Sequence, residues 1–333
     1  MTVAVALAVA VAAGLDRAVG EPPRRVHPVA LFGAAVAPFD REWRRPDAVG
    51  VPVAALFPVG AAVVAAGAVA LAASVDPLSV GAGGGVPVGG VVVAGVALWL
   101  TVSLRMLVGV ARETVALTET DPAAARERVV ALVGRDPAAL SPADLRSAAV
   151  ESAAENLADG VVAPLWWFVA GATTGVAAAG VVSLPTATLA LAGGAAGAVW
   201  AKAVNTLDSM LGYRSKPVGR ASARLDDAVA FLPARVTAAC LAAAARSPGT
   251  LRRARPLAGE PASPNSGWPM ATAAVALGVR LEKPGAYVLA GGPEPPSPAA
   301  ARAGVQLVET AGRTVVALAI GWFIALAGVV AWL

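Results

Sequence analysis

Residues 161–201 read VVAPLWWFVAGATTGVAAAGVVSLPTATLALAGGAAGAVWA. These residues carry no charge, and two polar blocks bracket them. The block before begins Ser141-Pro142-Ala143-Asp144 and runs through Glu151, Glu155, Asn156 and Asp159 to Gly160. The block after begins Lys202-Ala203-Val204-Asn205-Thr206-Leu207-Asp208-Ser209 and runs through Arg214, Lys216, Arg220 and Arg224 to Asp226-Asp227. An uncharged stretch of this length, with an uncharged link around Leu184-Pro185-Thr186, reads as an apolar helical hairpin. It leaves both polar blocks on one face of a membrane, where they form one active site.

Composition agrees. The chain is 57% hydrophobic and 14% charged, against about 25% charged residues in soluble domains. Too little polar surface is left to face water all round, so a lipid-facing surface is required. Ala, Val and Gly dominate, which suits small-residue helices packed closely together. The single cysteine, Cys240, excludes an intrachain disulfide scaffold. A net charge of +4, with bases interleaved among acids, carries no nucleic-acid signature.

Working outward, residues 2–15 are apolar without a basic flank and read as a retained first helix rather than a signal peptide. Fourteen residues rise only about 21 Å, so this helix either tilts little or extends into Asp16 and Arg17. Residues 16–50 are a proline-rich polar loop. Residues 51–75 and 86–110 form another hairpin, with Arg105 near its end. Residues 111–160 are charged and helical. Asp121-Pro122 starts one helix and Ser141-Pro142-x-Asp144 the next, a capping hydroxyl followed by proline and an acid. Gly160 is expected to end it. Residues 228–245 are apolar except for Arg235, 246–313 are polar, and 314–333 form a last span.

The predicted fold is all-α: a polytopic integral membrane protein with about five to six spanning helices, a re-entrant or surface-lying segment and cytoplasmic helical loops. All of residues 1–333 form a single membrane-integral catalytic domain, with polar segments 16–50, 111–160, 202–227 and 246–313. Positive loops belong inside, and a mid-span Arg235 would cost about 2.5–3.5 kcal/mol. Residues 228–245 are therefore expected not to span. Every charged loop is then cytoplasmic, and a tag in residues 252–256 reports from that side.

Glu151, Glu155 and Asp159 recur every four residues and share one helical face. Three like charges need counter-ions, and Mg²⁺ shared with substrate phosphates is one solution; solvated pairing with arginines is the other. Asn205 and Asp208 share a face in the same way. Arg214, Lys216, Arg220 and Arg224 followed by Asp226 and Asp227 suit a phosphate–metal site better than a membrane anchor, which needs no acids. His27 is the only histidine, so a multi-histidine metal site is excluded, and a hydrogen-bonded structural role is expected for it. No P-loop and no G-x-S-x-G elbow occurs.

Together the blocks resemble the cobalamin-biosynthesis family CbiB/CobD. The matching segments are Leu15-Asp16 with Gly20-x-Pro22, His27-Pro28-Val29, Val150-Glu151-Ser152-x-x-Glu155-Asn156-x-x-Asp159-Gly160, residues 202–210, residues 221–227, Pro233-Ala234-Arg235 and Ser263-Pro264-Asn265-x-Gly267-Trp268-Pro269. Glu21 and Ala230 depart from the pattern, where Asp and Asn are expected. The resemblance implies an ATP- and Mg²⁺-dependent amide ligase of the cytoplasmic membrane. It would join adenosylcobyric acid to (R)-1-amino-2-propanol or its O-phosphate, giving adenosylcobinamide or its phosphate. Other enzymes of that pathway are further possible partners. The implied metal ligands are Glu151, Glu155, Asp159, Asp208, Asp226 and Asp227. Glu155, Asp208 and Asn205 are the implied catalytic groups. Arg214, Lys216, Arg220, Arg224, Asn156 and Asn265 are the implied substrate and phosphate binders. The rival reading is a membrane transporter or binding protein for a corrinoid.

Overall fold

The computed structural model describes the chain except for residues 24, 77–84, 134–136, 179, 180, 183, 214 and 333. Among the described residues five helices are long and apolar enough to cross a membrane: Pro46–Ser74, Val88–Thr120, Pro142–Ala178, Thr186–Leu211 and Pro298–Gly328. A sixth apolar stretch, Pro217–Val229 with Phe231–Ala244, is broken at Ala230. Large apolar side chains such as Leu56, Val63, Val64, Leu71, Leu318 and Ile324 stand exposed along these helices. Water would penalise that pattern and hydrocarbon favours it. The chain is an all-α, multi-pass membrane protein.

The chain divides into two compact units. The first comprises Met1–Ser103, Ala163–Val229 and Val316–Leu333. It contains α1 (Thr2–Ala18), α2 (Pro28–Val36), α3 (Pro46–Ser74), α4 (Val88–Trp99), α8 (Ala163–Ala178), α9 (Thr186–Leu211) and α10 (Arg220–Val229). The first helix does extend through Asp16 and Arg17, and Asp16 is buried. His27 is the N-cap of α2, its Nδ1 accepting from the Val29 N–H at 3.2 Å, so its role is structural as expected.

The α8–α9 hairpin is a glycine seam. A Cβ on Gly171 would stand 2.1 Å from the Gly193 carbonyl oxygen, one on Gly175 would stand 2.3 Å from that of Leu189, and one on Gly197 would stand 2.1 Å from that of Trp167. Only glycine permits such backbone approach, the small-residue packing that lipid-embedded helices use. Trp167 and Trp200 pack edge-to-face at 5.0 Å, and the Trp167 indole donates to the Val229 carbonyl. The far end of α9 is wedged into a cluster of Val36, Val53, Leu207 and Leu211 with Phe32, Phe39 and Phe57 around it.

The second unit comprises Leu104–Val162 and Ala230–Val315. It contains α5 (Leu104–Thr120), α6 (Pro122–Val129), α7 (Pro142–Leu157), α11 (Phe231–Ala244), α12 (Thr250–Ala254), α13 (Gly267–Leu277), a hairpin of β1 (Arg280–Lys283) and β2 (Tyr287–Ala290), and the start of α14 (Pro298–Trp332). Both expected caps form. The Asp121 side chain accepts from the Ala123 and Ala124 N–H groups, and Ser141 with Asp144 closes a capping box on α7.

Two expectations need correcting, the end of a helix at Gly160 and the start of the last helix. Gly160 does not end a helix, because a π-helical turn over Ala158–Val162 carries α7 into α8. Gly160 is buried there, and packing outweighs the roughly 1 kcal/mol propensity cost of a helical glycine. The expected 86–110 span is found within Val88–Thr120, its winding interrupted between Trp99, where α4 stops, and Leu104, where α5 starts. The polar segment 246–313 is helical as expected of the polar loops, with α12 and α13, and carries the β-hairpin in addition. The last helix begins at Pro298 rather than near 314. Its first turns are amphipathic, with Ala301, Val305, Val308 and Ala311 buried while Arg302 and Arg313 face outward in ion pairs with Glu119 and Glu309.

Candidate functional site

In the second unit, α7 delivers the first polar block to a cavity of about 390 Å³. Glu151, Ser152 and Glu155 line one wall, Glu260 to Ser263 with Ser266 another, and Lys283, Ala286 and Tyr287 of the hairpin a third. Glu151 and Glu155 share the wall because they lie one turn apart on α7. Glu151 is 3% exposed. Its Oε1 accepts from the Tyr287 hydroxyl at 2.8 Å, and the same hydroxyl lies 3.5 Å from the Met270 sulfur. The hairpin is fixed against α7 where the Glu282 N–H donates to Ser147 Oγ at 2.9 Å.

Asp159 is not among the residues lining the cavity. It sits in the π-helical turn, whose wider i→i+5 winding breaks the four-residue phase that joins Glu151 to Glu155. The Asn156 amide donates to the Leu132 carbonyl at 3.4 Å, beside the cavity rather than into it.

The turn after Glu260 is held from behind by Arg235. Its guanidinium donates to Asn265 Oδ1 at 2.6 Å, to the Phe231 carbonyl at 2.8 Å and to the Pro264 carbonyl at 3.2 Å. It also lies 3.7 Å from the Phe231 ring centroid and 5.2 Å from that of Trp268. Asn265 is buried, and its side-chain oxygen serves this clamp.

The second polar block lies in the first unit. Asn205 and Asp208 are half-buried on α9, and the charge of Asp227 on α10 bears on Asp208. Gly212 closes over that carboxylate, for a Cβ there would strike Asp208 Oδ1 at 1.8 Å. Arg220 and Arg224, four residues apart on α10, are exposed, while Asp226 and Asp227 are half-buried. Lys216 Nζ donates to Asp40 Oδ2 at 2.8 Å and to the Met210 carbonyl at 2.9 Å, so this cation tethers the loop after α9. Arg214 lies outside the described residues.

Among the described residues no three His, Cys, Asp or Glu side chains gather as a metal cluster. The donor set still suits Mg²⁺ in one respect. Mg²⁺ keeps several waters and needs only one or two carboxylates when substrate phosphates supply the rest, and Glu151, Glu155 and Glu260 offer hard oxygens in one cavity.

Sequence reading missed Tyr287, Lys283 and Glu260. A signal for the hairpin was present in Lys283-Pro284-Gly285-Ala286. The Ala286 N–H donates to the Lys283 carbonyl, and Gly285 has φ +73°, a turn with proline second and glycine third.

Comparison with known proteins places the chain. The pattern of the CobD/Cbib protein family matches residues 9–315. A protein named probable cobalamin biosynthesis protein CobD from Methanothrix thermoacetophila is 33% identical over 283 residues, 83% of each chain. The cobalamin biosynthesis protein CobD of Rhodobacter capsulatus is 37% identical over 294 residues, 83% of this chain and 82% of the other. No solved structure matches. With its pattern matched almost end to end and such relatives covering four fifths of both chains, this chain belongs to the CobD/Cbib family of cobalamin-biosynthesis proteins.

Proposed function

We propose that the chain is an ATP-dependent amide ligase of the cytoplasmic membrane, joining the free propionate of adenosylcobyric acid to (R)-1-amino-2-propanol or its O-phosphate. The carrying observation is the acid-lined cavity, with the buried Glu151 fixed by Tyr287 and the half-buried Glu155 one turn further on. A small amine reaches such a cavity as an ammonium, and two carboxylates favour it there. To react it must lose a proton, and Glu155 is the acceptor we assign. His27 is unsuited, because its Nδ1 is engaged as a helix cap.

A carboxylate is a poor electrophile. ATP converts it to an acyl phosphate with release of ADP; the amine then attacks the carbonyl carbon and phosphate departs. Mg²⁺, when bound, supplies charge neutralisation on the phosphates. We assign two separate sets of acids to hold such an ion, Glu151, Glu155 and Asp159 within the second unit, and Asp208, Asp226 and Asp227 within the first. Asn205 orients substrate beside Asp208 on α9. Arg220 and Arg224, exposed on one face of α10, together with Arg214, take phosphate or propionate oxygens. Lys216 already holds Asp40 and Asn265 already serves Arg235, so these two act by fixing their loops.

The test is a ligation assay on the detergent-purified full chain with adenosylcobyric acid, ATP, Mg²⁺ and either amine, with the amide read by mass spectrometry. Product that requires both ATP and Mg²⁺, and that disappears in folded Glu155→Ala and Asp208→Ala, is expected. Full activity in both variants, or no product from a folded chain that binds the corrinoid, would sink the reading.

A further inference from the structure

The hairpin carries a residue that the acid-lined wall leaves unexplained. Leu281 pairs with Leu289 across the hairpin, and both are fully buried. Lys283 and Tyr287 form the next pair but one in that register. They therefore stand on the same face as the buried leucines, and both line the cavity. Arg280 and Glu282 lie on the other face and pair with each other at 3.5 Å. Among the described residues Lys283 is the cavity's only cationic lining residue, against Glu151, Glu155 and Glu260. Among the same residues it forms no ion pair. A cation placed alone on the inward face of a strand, in a space this size, is placed for a ligand oxyanion.

We infer that Lys283 holds the phosphoryl group of a small ligand in this cavity, while Glu151 and Glu155 take that ligand's cationic end or its metal. The inference rests on the ligase reading for the identity of the ligands to try. A cavity of about 390 Å³ lies in the small-molecule range and is far too small to enclose a corrinoid macrocycle, so that substrate can enter it only by its propionate arm, which carries no phosphate of its own. Two phosphoryl sources remain, a phosphate ester on the amine and the polyphosphate of the nucleotide.

The experiment is calorimetric binding to the full chain in detergent, for wild type, Lys283→Gln and Lys283→Arg. The probes are Mg²⁺–ATP, aminopropanol O-phosphate and free aminopropanol. A phosphoryl ligand held by a charge-assisted hydrogen bond should bind about ten- to a hundredfold more weakly once Gln replaces the lysine, and Arg should restore most of the affinity. Weakening confined to aminopropanol phosphate assigns Lys283 to the amine's ester; weakening confined to ATP assigns it to the nucleotide. Either supports the inference. Equal affinity in wild type and Lys283→Gln for both phosphoryl ligands overturns it. So does an equally large weakening for free aminopropanol, since that is the mark of a substitution that damages the cavity as a whole rather than one that removes a phosphoryl contact. A wild type that binds these ligands yet makes no amide would defeat the ligase reading and leave the Lys283 assignment standing.

Discussion

The glycine seam between α8 and α9 makes a sharp prediction about Gly193→Ala. A Cβ at this position would lie 2.3 Å from the Gly171 carbonyl oxygen, whereas ordinary contact starts near 3.4 Å. The obstructing atom is backbone, so no rotamer change relieves it, and the two helices must part by about 1 Å. Parting them thins the neighbouring Gly175–Leu189 and Gly197–Trp167 contacts, and a gap of 0.5–1 Å already forfeits about a quarter to a half of each dispersion well. Overpacking of this kind costs about 1–3 kcal/mol. At roughly 2–4 °C per kcal/mol for a unit of this size, the unfolding temperature should drop by about 2–12 °C. Tryptophan fluorescence during heating in detergent reads it, because Trp167 and Trp200 sit in the same hairpin. Gly60→Ala on α3 is the control: nothing lies within 4 Å of its Cβ position, and alanine is the better helix former by about 1 kcal/mol. If Gly193→Ala melts no lower than wild type, or Gly60→Ala falls as far, the seam is not what holds these helices together.

Four further substitutions probe the sites. Tyr287→Phe removes the hydroxyl bound to the buried Glu151; a hydrogen bond to a charged group is worth about 1.5–3 kcal/mol, so both thermal stability and ligation rate should fall, and unchanged values in both assays would refute a positioning role. Arg235→Met and Asn265→Ala cut the same clamp. Each should destabilise by about 1–3 kcal/mol and the double variant by little more than either alone, whereas additive effects in denaturant titration would show two separate roles. Lys216→Met breaks a partly exposed tether to Asp40, for which a stability decrease of only about 0.2–1 kcal/mol is expected. An unchanged KM for ATP distinguishes the tether from a phosphate contact.

Which features were legible in the sequence follows from how local their causes are. The caps at Asp121 and Ser141 were readable because a short side chain, a proline and an orphan N–H lie within three residues of each other. The α8–α9 hairpin was readable because uncharged sequence of that length has few places to go other than lipid. The π-helical turn was not, since what keeps Gly160 helical is burial against distant residues. The β-hairpin was obscured by its setting in a polar stretch rich in proline, glycine and arginine, although Pro284-Gly285 between Leu281 and Leu289 carried the pattern. Glu151 and Glu155 were legible as a pair by their spacing; Tyr287 and Lys283 were not, because only folding brings a strand so distant in the chain to that wall.

Arg235 shows how a correct sequence observation acquires a different cause. Taken alone, an arginine within an apolar segment costs about 2.5–3.5 kcal/mol at the centre of a membrane, and that penalty argued against residues 228–245 as a simple span. The penalty presumes a guanidinium without partners. Here it has an amide oxygen, two carbonyls and two aromatic rings around it, so its desolvation is largely compensated inside the protein. The segment is nonetheless no uniform span, and the reason lies in the backbone: the helix breaks at Ala230, with Pro233 in the turn that follows. The same side chain that was counted as a burden on insertion is what holds Pro264 and Asn265, and with them the turn that forms one wall of the cavity. Its removal should therefore be felt first at that wall, in ligand affinity, and only secondarily in how the chain enters the membrane.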